Sequence, residues 1–154
     1  MMKIALAADH VGFALKEKTR AYLEGKGLEV DDFGPLEAER VDYPDFAEMV
    51  AAQVAAKQAD YGVLVCGTGI GMVIAANKVP GIRAAAANDT ISARMAREHN
   101  NANILTLGGR MIDEAAMHGI VDTWLSTPFA GGRHARRVEK IEALEQRYHT
   151  EKTA

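Results

Sequence analysis

Short apolar runs alternate with amphipathic stretches along this chain. Lys3 to Ala8 reads as a first strand, and Val11, Leu15, Tyr22 and Leu23 recur at helical spacing up to a Gly25-Lys26-Gly27 stop. Leu28 to Phe33 reads as a second strand, broken by Gly34-Pro35, and a polar connection leads to Asp42-Tyr43-Pro44, where the proline suits a helix start. Phe46, Met49, Val50 and Val54 then share one helical face, ending near Asp60. Val63-Leu64-Val65 is the continuous apolar run expected of a strand buried on both faces, and the residues from about Ile70 to Val79 are helix-compatible. After Pro80-Gly81, Ile82 to Ala87 predicts a fourth strand and Asp89 caps a helix running to about Glu98-His99-Asn100-Asn101. Asn103 to Leu107 is a fifth strand ended by Gly108-Gly109-Arg110. Met117, Ile120, Val121, Trp124 and Leu125 line a further helix stopped by Pro128; Gly131-Gly132 is a hinge, and Arg133 to Tyr148 forms the last helix.

Strands that alternate with helices predict a parallel sheet covered on both faces, because right-handed crossovers lay a helix over each connection. The expected fold is a three-layer α/β/α sandwich with a five-stranded parallel sheet, Rossmann-like, its strand order beginning 2-1-3. Simple winding continues that order as 4-5. One domain is expected over residues 1–149, with a frayed tail at 150–154. In such sheets the ligand crevice lies beyond the carboxyl ends of the strands. That rule gathers Asp9-His10, the stretch from Cys66 to Gly71, and Arg110. His99 and Asn100 end a helix instead, so they join the crevice only through the helix-to-strand turn or from a second subunit.

Composition narrows the class. With 154 residues, 48% hydrophobic and 25% charged, the chain is long enough to bury a core without staples, and its single cysteine excludes an intrachain disulfide framework. A reducing cytoplasm is the expected setting. The N-terminal apolar run is interrupted at Asp9, unlike a signal peptide, and no stretch is suited to spanning a membrane. A net charge of −3 argues against general nucleic-acid binding, yet Arg133, His134, Arg136, Arg137 and Lys140 cluster as a local anion site would. No histidine or cysteine spacing fits a metal, so neither metal nor cofactor is expected.

The stretch Cys66-Gly67-Thr68-Gly69-Ile70-Gly71 carries the candidate chemistry. It is not a dinucleotide fingerprint, since Met72 stands where the third glycine would be, and no P-loop spacing occurs in the chain. Two readings stand side by side. Cys66 is either a small hydrophobe ending a core strand before a tight turn, or a reactive thiol beside backbone N–H groups that can hold an anion or an oxyanion. Similar pairs of readings hold elsewhere. Asp9 either accepts ligand hydroxyls or caps the next helix. Thr68 either orients a ligand or bonds its own turn. His99 either carries a proton or merely ends a helix. Arg133 and Arg137, four apart, either grip a phosphate together or form a solvated basic helix start.

Taken together, Asp9-His10-Val11-Gly12, Asp42-Tyr43-Pro44, Cys66 to Gly71, Asn77-Lys78, His99-Asn100, Gly108-Gly109-Arg110 and Gly131-Gly132-Arg133-His134 resemble the ribose-5-phosphate isomerase B family, which includes galactose-6-phosphate isomerase subunits. The resemblance runs from about Lys3 to Arg147. It implies a metal-independent aldose–ketose isomerase for ribose 5-phosphate and ribulose 5-phosphate, acting in pentose phosphate metabolism. It also implies a homodimer, or a dimer of dimers, with active sites at the interface, and a strand order 2-1-3-5-4. By the family's pattern Cys66 is the base that moves a proton between C2 and C1, and His99 is the acid that opens the sugar ring. Asp9, His10, Gly67, Thr68, Gly69, Ile70, Gly71, Asn100, Arg110, Arg133 and Arg137 match substrate-binding positions, and Tyr43 and His134 are added candidates. Other members put a glutamate at the position of Ile70; this chain resembles the cysteine subclass.

The chemistry asks for such groups. A thiol with an ordinary pKa near 8.5 needs help to act as a base, and a helix start beside it favours the thiolate while its free N–H groups receive charge from an enediolate. An imidazole with an ordinary pKa near 6.5 can hand a proton to a sugar oxygen. Two alternatives stand beside this reading: isomerisation of another phosphosugar, a hexose or tetrose phosphate, and a non-catalytic metabolite-binding module on the same sheet.

Overall fold

The structure is a computed structural model and describes residues 1–150, so most of the expected tail lies outside the described residues. The elements run β1 (Lys3–Ala8), α1 (Phe13–Gly25), β2 (Glu29–Asp32), α2 (Tyr43–Ala55), β3 (Tyr61–Cys66), α3 (Ile70–Ala76), β4 (Ala84–Ala86), α4 (Thr90–Asn100), β5 (Ile104–Gly108), α5 (Glu114–Ser126) and α6 (Arg133–Thr150). Every strand pair is parallel, and the order is β2-β1-β3-β5-β4. Simple winding is thus corrected at the far edge: the chain passes over the place of β5 to lay down β4, then returns between β3 and β4. No helix among the described residues is long and apolar enough to cross a membrane.

The period of two in each strand divides the core. Ile4, Leu6, Ala8, Val63, Val65, Leu105 and Leu107 face a layer built from α1, α4 and α5, whose Leu23, Met117, Ile120 and Trp124 are buried against them. Ala5, Ala7, Leu64, Cys66 and Ile104 face the other layer, where Ala47, Val50 and Val54 of α2 and Met72 and Ala76 of α3 pack. Cys66 therefore ends β3 with its side chain on the α2–α3 side. Its neighbour in the sheet is Gly108.

Three elements stop earlier than their patterns predict, each because a polar contact competes with the helix or strand. α2 ends at Ala55 rather than near Asp60: Lys57 turns to φ +62°, and the N–H groups of Gln58 and Ala59 both fold back on the Gln53 carbonyl. α3 ends at Ala76 rather than Val79 because the Asn77 carboxamide brackets Ala84, donating to its carbonyl at 3.0 Å and accepting from its N–H at 2.8 Å. β4 keeps only Ala84–Ala86 of the six residues expected, because the Arg83 N–H is taken by the Asn103 carboxamide oxygen at 2.8 Å.

Behind the first crossover lies a buried charge. Lys16 is fully enclosed, and its ammonium meets both carboxylate oxygens of Asp32 at 3.0 and 2.9 Å and donates to the Pro35 carbonyl at 2.8 Å. The same segment is tied to the sheet through the Ala8 N–H, which donates to the Gly34 carbonyl at 3.0 Å. The connection leading to Pro35 is thereby fixed beside the carboxyl end of β1.

Candidate active site

The order of the strands reverses direction between β1 and β3, and the loops after these strands open a crevice there. Asp9 follows β1 directly. Its N–H donates to the Val65 carbonyl at 3.1 Å, and its Oδ1 accepts from the Gly12 N–H at 2.8 Å. The carboxylate thus closes a local turn ahead of α1 and keeps its second oxygen for other partners. His10 accepts from the Val41 N–H at Nδ1, 3.3 Å away, which fixes the proton of the neutral ring on Nε2. After β5, the Gly109 N–H donates to the Cys66 carbonyl at 2.7 Å and the Arg110 N–H to the Gly67 carbonyl at 3.0 Å. The Arg110 side chain runs alongside Gly67: a Cβ there would lie 3.8 Å from its Nη1. Tyr43, the first residue of α2, lays its ring on Gly71 so closely that a Cβ would fall 2.6 Å from Cε1. Asp9, His10, Tyr43, the 66–71 turn and Arg110 are thus assembled within one chain.

The turn itself is built around Gly69, whose φ of +84° belongs to the left-handed region that favours glycine. This conformation aims the Gly69 N–H at Cys66 Sγ, 3.2 Å away, while the Ile70 N–H meets Thr68 Oγ1 at 3.2 Å. A backbone N–H at the start of α3 thus donates directly to the sulfur. Cys66 is 95% buried, whereas Ile70 stands 57% exposed beside it. Thr68 Oγ1 thus bonds its own turn as an acceptor, a bond that does not use its hydroxyl proton.

His99, Asn100, Arg133, His134 and Arg137 form a separate group. α4 runs back across the sheet and ends at its amino edge, where the Asn103 carbonyl accepts from Gly62 near the start of β3. The five residues of β5 separate the backbone of this group from Cys66 by about 13 Å at standard strand rise. Here the rings of His99 and His134 are stacked, 4.3 Å between centroids, and the Ala130 N–H ties the α5–α6 connection to the Glu98 carbonyl at 3.0 Å. Burial, then the charges of His99, Arg133 and Arg137, hold the His134 pKa below the ordinary 6.5, with Glu98 opposing. Arg133 and Arg137 are exposed on the first turns of α6. One chain therefore carries a cysteine half and a histidine–arginine half on opposite edges of its sheet.

Two side chains that the sequence patterns did not single out hold the cysteine half together. Asn88 donates to the Thr68 carbonyl at 3.2 Å and accepts from the Gly108 N–H at 2.8 Å. Thr106, fully buried in β5, donates to the Gly69 carbonyl at 2.8 Å. The signals were present: a lone hydroxyl inside an apolar strand, and an amide following a strand at its carboxyl end.

A buried carboxylate and a thiol under a helix start at one edge of a doubly wound sheet, with exposed arginines at the other, are the groups needed to move a proton on an anionic, hydroxyl-rich substrate. The chain belongs to the ribose/galactose isomerase family, whose model matches residues 4–141. The ribose-5-phosphate isomerase B of Escherichia coli (strain K12) is 48% identical over 147 residues, covering 96% of this chain and 99% of its own. Among solved structures, a ribose 5-phosphate isomerase from Thermotoga maritima superposes with a TM-score of 0.90 at 56% identity, covering 92% of this chain and 98% of that one. The ribose-5-phosphate isomerase B of Mycoplasma genitalium, solved with bound ribulose-5-phosphate, gives a TM-score of 0.91 at 42% identity, covering 94% and 97%.

Proposed function

We propose that this chain, with residues 1–149 acting as one domain, interconverts D-ribose 5-phosphate and D-ribulose 5-phosphate through a cis-enediolate, without metal or cofactor. The observation that carries the reading is the Gly69 N–H pointing at Cys66 Sγ, a thiol and its anion-stabilising donor in one turn. The Cys66 thiolate removes the proton from C2 of the open aldose. The electron pair moves to the C1–C2 bond as the C1 carbonyl oxygen takes the negative charge near the turn's N–H groups; the C2 hydroxyl proton passes to O1, the charge passes to O2, and Cys66 returns its proton to C1 as C2 becomes the ketone. His99 supplies the proton that opens the ring, and Thr68 donates its hydroxyl to the sugar. Asp9, His10 and Asn100 hold hydroxyls, while Arg133, Arg137, His134 and Arg110 hold the phosphate. Tyr43 and Ile70 bound the pocket.

The two halves lie on opposite edges of one sheet, which favours a homodimer, or a dimer of dimers, in which His99, Asn100, Arg133 and Arg137 reach the cysteine half of a second copy. Apolar surface available for such an interface is plentiful. Ile70 and Ile74 of α3 and Ile91 and Met95 of α4 are exposed. Ile141, Leu144 and Tyr148 of α6 line a cleft of about 520 Å³ beside Ile82 and Ala84. The single cysteine suits a reducing cytoplasm, where a pentose phosphate pathway operates.

The test is formation of ribulose 5-phosphate from ribose 5-phosphate, with EDTA present, by the native protein and by Cys66→Ala. Native turnover and a loss of at least about a hundredfold in a folded Cys66→Ala support isomerase and base together. Equal turnover in both moves the base elsewhere. Turnover in neither redirects the assignment to another phosphosugar or to a binding module.

A further inference from the structure

The turn after β3 contains two peptide units whose carbonyls are held from other strands and loops: the Thr68 carbonyl by Asn88, and the Gly69 carbonyl by Thr106 together with the Val73 N–H of α3. Glycine tolerates either orientation of the peptides on its two sides, and Gly69 sits between them. A peptide unit is planar and trans, so its carbonyl and its N–H point in opposite directions, and holding one aims the other. In the unit joining Thr68 to Gly69, Asn88 Nδ2 holds the carbonyl at 3.2 Å, and the N–H faces Cys66 Sγ at 3.2 Å. In the unit joining Gly69 to Ile70, the buried Thr106 hydroxyl at 2.8 Å and the Val73 N–H at 3.0 Å share the carbonyl, and the N–H faces Thr68 Oγ1 at 3.2 Å. The clamps are themselves anchored. Asn88 is pinned by the Gly108 N–H at 2.8 Å, and Thr106 lies in β5 paired with both β3 and β4.

We infer that Asn88 and Thr106 are positioning residues: Asn88 locks the first peptide of the turn, and Thr106 reinforces the hold of α3 on the second, so that each N–H serves the site. Asn88 acts through the Gly69 N–H on the thiolate content of Cys66. Thr106 acts through the Ile70 N–H on Thr68: with its oxygen occupied by that donor, the threonine hydroxyl is left to donate to the sugar. A flip of the first peptide would aim the Thr68 carbonyl oxygen toward sulfur, and a flip of the second would aim the Gly69 carbonyl toward Thr68. Both would repel the negative charge that the reaction develops. The catalytic consequence rests on the isomerase reading above; the aiming of the two N–H groups does not.

The test uses Asn88→Ala, Thr106→Val and Thr106→Ser in the full chain, with folding checked by far-ultraviolet circular dichroism. Cys66 is titrated by the pH dependence of iodoacetamide alkylation. The other charged or titratable groups at this edge are Asp9, His10, Tyr43 and Arg110, and all are retained in each variant. Asn88→Ala should move the half-alkylation pH upward and lower kcat by about tenfold, with KM nearly unchanged. Thr106→Val, nearly isosteric, should leave the alkylation curve in place but lower kcat by a similar factor, and Thr106→Ser should restore it. Amide exchange read by NMR needs no substrate: it should speed up at Gly69 in Asn88→Ala and at Ile70 in Thr106→Val. An unchanged alkylation curve and Gly69 exchange in Asn88→Ala would overturn the first clamp. Unchanged Ile70 exchange in Thr106→Val would overturn the second. If both substrate-free readouts move while Cys66→Ala still turns over, the clamps stand and the assignment of the base falls.

Discussion

The imidazole rings of His99 and His134 stack face to face, 10° from parallel, with their centroids 4.3 Å apart. Burial, reinforced by the positive charge of Arg133 and Arg137 and by His99 itself, keeps the His134 pKa below the usual 6.5. An imidazole of this kind binds more protons unfolded than folded. Its neutral form contributes stability that is fully present above the unfolded value and is lost as pH falls toward the folded one. Acidification from about pH 7.5 to about pH 5.5 should therefore lower Tm more in the native protein than in His134→Gln. Parallel Tm curves would remove His134 from the acid response. Inorganic phosphate should flatten the native curve, since an anion between Arg133 and Arg137 favours the imidazolium.

The separation of Cys66 from His99 along the sheet predicts complementation between two inactive variants. In the proposed homodimer, Cys66→Ala and His99→Asn each carry a lesion in every site. A hybrid of the two has one site with both lesions and one with neither. Equal amounts, unfolded together and refolded, should recover up to about a quarter of native activity. Mixing that restores nothing, although hybrids form, would mean that both residues serve the same site from one chain.

Arg133 and Arg137 share a face of α6 beside His134. If they grip the phosphate, Arg137→Ala should raise KM for ribose 5-phosphate by about tenfold or more, with little change for a slowly reacting unphosphorylated sugar. Equal losses for both sugars would withdraw the phosphate assignment.

Lys16 and Asp32 form a charge pair away from solvent, with Pro35 as a third partner. Lys16→Met removes the cation and leaves the Asp32 carboxylate with the Gly34 N–H at 2.9 Å and the more distant Arg20. Denaturant unfolding should register a loss of about 3 kcal/mol, much of it recovered when Asp32→Leu is added, because the penalty lies in the stranded charge. A double variant no more stable than Lys16→Met would place the loss in packing instead.

The sequence is a good guide where one pattern dominates. β1 occurs over the predicted Lys3 to Ala8, and α4 begins after Asp89, whose carboxylate accepts from the Ser92 N–H at 2.7 Å. The crevice rule correctly gathers Asp9, Cys66 and Arg110, because it needs only the strand ends. It is equally informative about His99, which ends a helix and lies at the opposite edge. Periodicity failed where side chains bond the backbone across the fold. Asn77 bracketing Ala84 shortens α3, and Asn103 meeting Arg83 trims β4. The far strand order is not contained in local pattern, since a right-handed crossover from β3 to the adjacent position or to the one beyond it obeys the same rules; the family resemblance alone pointed to 2-1-3-5-4. Asn88 and Thr106 escaped for a related reason: their partners are carbonyls some 20 and 37 residues away, which no spacing rule pairs with them.

The enclosure of Lys16 has a practical side. Amine-acylating reagents modify surface lysines at once, but this ammonium becomes reachable only when α1 parts from β2 and from the segment that ends at Pro35. Its labelling rate is a clock for that opening, and mass spectrometry of a single peptide reads it. Whatever quiets the crevice should slow the clock.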